Sequence, residues 1–463
     1  MARPRAIESV LRGARARPAW WAVPVLAAAT YLAYGRGFVN SDAMWSLAWG
    51  RQLAHLQTPA YELGATPHPL SNLLGIVLSP LGASAEPALH VLGYLAVGTL
   101  VYATGLLAYR LFGPLAAVIA AGLIASRVTL VFYGALAFLD IMFAALVVWA
   151  IVLEVERPRR KGAVLVLLVI AGLLRPEAWF LGGAYALYAG GDTRGRLELL
   201  AVSAIAPVTW FLADLAVTGN PLFSFTRTRD ATPMTGKPTG VAGVLEHGPG
   251  VLADSARPAV VIAAAIGLAV AHRRGNLSIL LGALIATLAA TAIPVAAGTP
   301  LNDRYLLSSI ALTCVAASAT ISLAFTAREA PAWRAAGAVC IVVLAVGAAK
   351  DVSGLRYWRG EVRRLTASNA AAHDLVANGL PCSPLVVPNV RLRSTAAVWL
   401  DVAPEEIRDG TQGIPAGSYL WGTRQAMMGL VTIAGRPLAT APTPHAPVVR
   451  QEGGWTLRAR CAS

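Results

Sequence analysis

Charge is scarce in this sequence. Asp, Glu, Lys and Arg together make up 13% of its 463 residues, about half of the roughly 25% usual in soluble domains. That scarcity excludes a string of small soluble domains and an acidic or basic disordered chain. Lysine is almost missing, occurring only at Lys161, Lys237 and Lys350. There is no Gly period of the collagen kind, no Gly-rich phosphate loop and no Gly-x-Ser-x-Gly elbow. No Cys/His spacing of the zinc type occurs among only four cysteines. No metal site is therefore assigned. A divalent metal stays open but unsupported, and no cofactor is implied.

What is abundant is apolar. Hydrophobic residues account for 56% of the chain, and the mean hydropathy is +0.60. This is the composition of an integral membrane protein. The net charge of +14 sits in short Arg clusters between apolar runs. It therefore reads as a set of topology signals and not as a nucleic-acid surface.

Apolar runs near the length of a membrane span fall at 19–35, 87–109, 114–132, 135–154, 196–217, 257–271, 277–297, 304–326 and 332–349. The run 162–190 is interrupted by Arg175-Pro176-Glu177. Arg3, Arg5, Arg12, Arg15 and Arg17 predict a cytoplasmic N-terminus, with the first run an uncleaved anchor. From there Arg110, the 157–161 cluster, Arg194, Arg196, Arg273, Arg274 and the 328–334 segment all fall inside, provided that 162–190 is a hairpin. Each arm of that hairpin is too short to cross about 30 Å. Its tip at Arg175–Glu177 must then be recessed within protein. The count is about eleven spans, with the N-terminus inside and the C-terminus outside.

Three longer segments face outward on this reading: 36–86, 218–256 and the tail from about 350. The tail has a soluble composition. A helical pattern over 357–375 ends at Asn378-Gly379, and another covers 394–400. Short apolar runs at 384–387, 418–421 and 455–458 predict strands. The expected organisation is a membrane domain over 1–349 and a small extracytoplasmic α/β domain over 350–463. Cys314 and Cys340 lie in spans, as inert packing residues. Cys382 and Cys461 fall in the oxidising outer domain and are expected to form a disulfide.

The first outward loop contains Asn40-Ser41-Asp42-Ala43-Met44-Trp45 and then Pro67-His68-Pro69-Leu70. Further fragments are Phe138-Leu139-Asp140, Gly172-Leu173-Leu174-Arg175-Pro176-Glu177, Gly219-Asn220-Pro221 and Asn302-Asp303-Arg304-Tyr305. The tail adds Val387-Pro388-Asn389 and Trp399-Leu400-Asp401. In this order they resemble the GT-C superfamily of membrane glycosyltransferases, in its protein-mannosyltransferase-like branch and among its uncharacterised actinobacterial members. The second element departs from the usual His-Pro-Pro-Leu. A single acid, Asp42, stands where many relatives carry two, which disfavours a paired-carboxylate metal site.

The resemblance implies a GT-C-like helical membrane fold in the cell membrane. It implies inverting transfer from a polyprenyl-phosphate sugar to an envelope glycan, lipid or protein outside the membrane. Such chemistry needs a carboxylate base and cations for the departing phosphate. Asp42 is the expected base, or else only the N-cap of a helix beginning at Ala43. Asp140 is expected at the substrate, or in an ion pair with Arg127 at similar depth. His68 contacts the acceptor or phosphate, or shapes its turn. Arg175 and Glu177 touch substrate or lock each other. Arg304, beside Asp303, holds the phosphate or anchors the interface. Arg51 and His55 read as solvated, and Trp20, Trp21, Trp45 and Trp49 as an interfacial belt. The rival classes are a lipid or glycan transporter or flippase, and a non-catalytic envelope assembly protein. A transporter would need paired broken helices, and only the break at 175–177 is visible in the sequence.

Overall fold

The computed structural model describes residues 19–461 apart from 65, 327–329, 414–415, 429–431, 434–435 and 438–442. The N-terminal Arg cluster and Arg328 lie outside the described residues. Among the described residues eighteen α-helices of eight residues or more follow in chain order: α1 (Ala22–Tyr34), α2 (Ser41–Ala54), α3 (Pro69–Leu78), α4 (Ala85–Phe112), α5 (Pro114–Ala125) and α6 (Val128–Ala135) come first. Next are α7 (Leu139–Glu156), α8 (Lys161–Leu174), α9 (Glu177–Ala189), α10 (Thr193–Ser203), α11 (Ile205–Thr218) and α12 (Phe223–Thr235). The last six are α13 (Gly248–Ala256), α14 (Pro258–Arg273), α15 (Leu277–Ala296), α16 (Leu307–Leu323), α17 (Pro331–Ala377) and α18 (Val390–Leu400). Proline opens α3, α5, α14 and α17 at the position where its missing N–H leaves no bond unmade.

The bundle is organised on α16, whose residues are all buried. Its sequence is mostly Ala, Ser and Thr, and small side chains allow close helix approach. A Cβ at Gly267 of α14 would come within 1.9 Å of the Ala316 carbonyl oxygen. The same device sets α2 against α3. A Cβ at Gly75 would lie 2.1 Å from the Ser46 carbonyl oxygen, and one at Gly50 2.3 Å from the Gly75 backbone.

The expected hairpin in 162–190 is present as α8 and α9. Pro176 has no N–H to continue α8 and forces the preceding residue to be extended. Arg175 accordingly has φ −150° and ψ 136°. Two breaks were not visible in the sequence. α5 and α6 are bent by 62° at Arg127, and the 240–256 helix and α14 by 97° at Arg257. Among the described residues four helices are long and apolar enough to cross a membrane, or up to six with each bent pair taken as one span. The shorter apolar helices Ala22–Tyr34, Lys161–Leu174 and Pro331–Val346 coincide with other expected spans.

The expected boundary at 349/350 falls inside one continuous helix. α17 joins the span at 332–349 to the helix at 357–375 and ends at Asn378, before Gly379 at φ +89°. At 1.5 Å per residue it is about 70 Å long. Its C-terminal half packs on a five-stranded sheet of β1 (Leu385–Val387), β2 (Ile407–Asp409), β3 (Gly417–Gly422), β4 (Val448–Glu452) and β5 (Trp455–Arg460). The order is β2-β1-β3-β5-β4. β1 runs parallel to β2 and β3, with Leu385 opposite Ile407 and Ser418, while β5 runs antiparallel to β3 and β4. α18 is the crossover between β1 and β2. A disulfide joins Cys382, before β1, to Cys461, after β5.

This α/β domain is seated on α2. The Ser394 hydroxyl donates to the Ser41 carbonyl (3.2 Å), and Gln52 Nε2 donates to both Glu405 oxygens (3.0 Å). Arg51 pairs with Asp401 at 2.6 Å, so it is not the solvated residue expected. Trp45 and Trp49 are not interfacial either. They stack at 5.0 Å in the buried core with Tyr61, whereas Trp20 and Trp21 are exposed. Two Trp residues one helical turn apart cannot by themselves tell a belt from a core stack.

The α2–α3 crossing makes a prediction. Gly75→Val must push the helices apart and destabilise the protein by about 1–3 kcal/mol. Gly282→Ala on α15, where a Cβ meets nothing within 4 Å, serves as control. A lowered thermal midpoint in detergent for the first variant alone is expected; equal midpoints contradict the close crossing.

Candidate active site

One cavity of about 1070 Å³ lies where the helical bundle meets the α/β domain, and Asp42, His68, Arg175, Glu177, Asp303 and Arg304 all line it. These residues are separated by up to 262 positions and are delivered by four different segments. Asp42 sits in the first turn of α2. The cap of that helix is Asn40, whose Oδ1 accepts from the N–H groups of Asp42 (2.9 Å) and Ala43 (3.2 Å). Asn40 is fixed in turn, because its Nδ2 donates to the Leu136 carbonyl at 2.8 Å. The expected alternative of Asp42 as N-cap is thus corrected, and its carboxylate is left to the cavity.

Arg304 stands at the start of the helical segment that leads into α16. Its Nη1 is 3.3 Å from Asp42 Oδ2 and 3.6 Å from Asp140 Oδ2. The guanidinium lies over the Phe138 ring, 4.9 Å from its centroid. Arg175 forms a bidentate pair with Glu177, Nε to Oε2 at 3.1 Å and Nη2 to Oε1 at 2.6 Å. It also donates to Asp140 and stacks on Tyr305 at 3.8 Å. Asp303 accepts from the Tyr133 hydroxyl at 2.8 Å.

Asp140 is placed differently from the other acids. It is 5% exposed and lies behind the two guanidinium groups, off the cavity wall. The expected partner was Arg127, but the helix break at Ser126–Arg127 turns that side chain elsewhere. Arg127 donates to the carbonyls of Leu123 and Ala256 and to the Ser126 hydroxyl. Asp140 instead faces Arg175 and Arg304.

The resulting chain of charges is Asp42–Arg304–Asp140–Arg175–Glu177. A lone ion held away from water costs several kcal/mol, and alternation of sign offsets that penalty. Both arginines expected at a phosphate are therefore already engaged by carboxylates. Three further cations line the cavity, and sequence reasoning missed them: Arg227, Lys237 and Arg391. Arg227 donates to the Gly64 and Glu62 carbonyls. Lys237 has no carboxylate partner among the described residues, and its rarity in this chain was the only signal. Arg391 follows Asn389, which caps α18. Burial pushes its guanidinium pKa down, and the Asp42 carboxylate opposes that shift. Among the described residues no cluster of three or more His, Cys, Asp or Glu side chains is arranged to hold a metal ion.

His68 precedes α3, in extended conformation. Its carbonyl accepts from the Ser71 hydroxyl (2.9 Å) and the Asn72 N–H (3.0 Å), so its backbone does shape the turn. Its imidazole nevertheless lines the cavity, beside Trp210 at 5.4 Å. Burial, and then the charge of Arg175, push its pKa down to about 4. The ring is neutral at physiological pH. An unfolded His titrates near 6.5, so the unfolded state takes up the proton first. Stability is complete above that value and falls as pH drops from about 6.5 to 4, by roughly 3 kcal/mol. His68→Gln is expected to flatten the loss of thermal midpoint over this range. An unchanged slope would show that His68 is not held neutral.

No protein-family model and no characterised protein matches the sequence. Among solved structures the chain is similar to ArnT from Cupriavidus metallidurans bound to undecaprenyl phosphate. The TM-score is 0.57 at 13% identity, covering 96% of this chain and 99% of that one. ArnT from the same organism in the apo state gives 0.53 at 14% identity, covering 98% of each chain. At such identity the likeness is one of fold. Extended over nearly the whole of both chains, it shows that this chain, with several helices long and apolar enough to cross a membrane, has the fold of ArnT.

Proposed function

We propose that the protein is an inverting glycosyltransferase. It moves a sugar from a polyprenyl-phosphate carrier to an envelope glycan, lipid or protein on the outer side of the cell membrane, with its N-terminus in the cytoplasm and its 350–463 domain outside. The observation that carries this reading is the gathering of Asp42, Arg175 and Arg304 on one cavity wall. ArnT, which has the same fold, binds undecaprenyl phosphate.

In the proposed reaction Asp42 takes the proton of an acceptor hydroxyl, as a positioned base does. The hydroxyl oxygen attacks the anomeric carbon of the sugar. The bond from that carbon to the phosphate oxygen breaks, and its electron pair stays on the departing polyprenyl phosphate. The charge that develops there is met by preorganised cations. Lys237 and Arg391 are on hand for it. Arg304 is shared: in the resting site it lies against Asp42, and a bound phosphate competes for the same guanidinium. Its transfer to phosphate frees the carboxylate to act as base, so donor binding prepares the acceptor step. Asp140, itself paired with Arg175, holds Arg304 in reach of both.

The bends at Arg127 and Arg257 favour a second reading, a lipid or glycan transporter, because broken helices line transport paths. Transfer assays separate the two. The reconstituted protein, given radiolabelled polyprenyl-phosphate sugars and an envelope extract, should release polyprenyl phosphate and label an acceptor. Asp42→Asn should lower that rate by about 10²–10⁴-fold at normal expression. Full activity in the variant removes Asp42 as base. Movement of intact donor across the bilayer without release of polyprenyl phosphate overturns the transferase reading.

A further inference from the structure

Two residues that line the cavity, Trp210 and His68, each carry an unused polar atom. Trp210 of α11 is 4% exposed, and its indole Nε1 has no hydrogen-bond partner. His68 Nδ1 is closed off from solvent and also has none. Buried N–H and ring nitrogen groups are nearly always bonded, and leaving one unsatisfied costs free energy. Two such atoms, on adjacent rings 5.4 Å apart by centroid and belonging to residues that both line one cavity, point to a polar group that arrives from outside the chain. The neighbouring Trp179 is different: its Nε1 already donates to the Gly172 carbonyl at 2.9 Å. It contributes an aromatic edge, 5.6 Å from Trp210 and 5.7 Å from Phe211.

Three kinds of occupant could meet this wall. A prenyl chain would bury the indole N–H and the imidazole nitrogen against hydrocarbon and leave both unpaired. A phosphate is better met by the cations on the same cavity, Lys237 and Arg391, than by two rings without a charged partner between them. A sugar ring presents hydroxyls that both donate and accept, together with C–H faces that pack on aromatic rings. Position agrees with chemistry. His68 lies within electrostatic reach of Arg175, Asp140, Asp42 and Arg304 alike. The transferred sugar must occupy that place, with its anomeric carbon between the phosphate cations and the base.

We propose that His68, Trp210 and Trp179 form the subsite for the transferred sugar, and that the sugar is an uncharged aldose whose hydroxyls satisfy His68 Nδ1 and Trp210 Nε1. The subsite rests on the transferase reading above, and deepens it by assigning which part of the donor each wall receives. Neutral recognition through an N–H and an imidazole discriminates against a uronic acid, which would bring a second negative charge beside Asp42.

The test is binding of sugar-loaded against bare polyprenyl phosphate, without acceptor, to the full-length protein in nanodiscs. The probes are polyprenyl-phosphate mannose, glucose, arabinose and galacturonic acid, and polyprenyl phosphate itself. The wild type should bind at least one neutral sugar-loaded lipid about tenfold more tightly than the bare lipid, the scale of one or two hydrogen bonds. Trp210→Phe keeps a ring but removes the N–H. It should abolish that preference while leaving affinity for the bare lipid within about twofold. His68→Gln, the second variant if Trp210→Phe does not fold, should reduce the preference likewise. Equal weakening of bare and loaded lipid would assign the wall to the prenyl phosphate and overturn the sugar subsite. A preference for the loaded lipid that survives both variants overturns it too, as does tightest binding of the galacturonosyl lipid. Binding of none of the lipids would remove the transferase reading itself, a result separable from the others.

Discussion

Arg304 carries more of this site than any other side chain. A guanidinium out of water must be paired, and here it is paired twice, with Asp42 on the cavity side and Asp140 behind. The second carboxylate is anchored by Arg175, which Glu177 holds bidentately. Each charge in this row is tolerable only because its neighbours are present. The row also joins parts of the chain that are far apart in sequence: the start of α2, the start of α7, the tip between α8 and α9, and the segment leading into α16. Site assembly and bundle assembly are one event, since charges in this row cannot be buried singly.

Three backbone arrangements make the row possible. Pro176 ends α8 and turns the chain so that Arg175 and Glu177 point the same way. The glycines of the α2–α3 crossing bring Asp42 and His68 to one cavity. The α/β domain lies along α2, tied through Ser394, Asp401 and Glu405, and contributes Arg391 to the same wall. That domain is therefore part of the site and not an appendage, although one long helix, α17, carries the chain into it.

Much of this was legible in the sequence where local chemistry decides. The Arg-Pro-Glu interruption of an apolar run announces a broken helix, because proline constrains its own residue and the one before. The apolar runs at 384–387, 418–421 and 455–458 became β1, β3 and β5. The weaker β2 and β4 escaped, having no comparable apolar run. Partner choice was not legible. Depth along a helix suggested Arg127 for Asp140, but depth ignores rotation, and an unforeseen bend at Arg127 redirects that side chain. Nor could sequence decide between Asn40 and Asp42 as the cap of α2. Asn40 prevails because its amide also reaches the Leu136 carbonyl, a contact 96 residues away. The stacking of Trp45 and Trp49 in the core, and the orphaned nitrogen of Trp210, are likewise properties of packing alone.

The central claim is that Arg304 is held in common by the base and the donor phosphate. The most direct measurement is the affinity for bare polyprenyl phosphate in a double-mutant cycle of Asp42→Asn and Arg304→Gln. If the guanidinium is shared, Asp42→Asn releases it and tightens binding by about tenfold, and the gain disappears when Arg304 is absent. The same gain in both backgrounds would reduce Asp42 to a source of general repulsion and contradict the account.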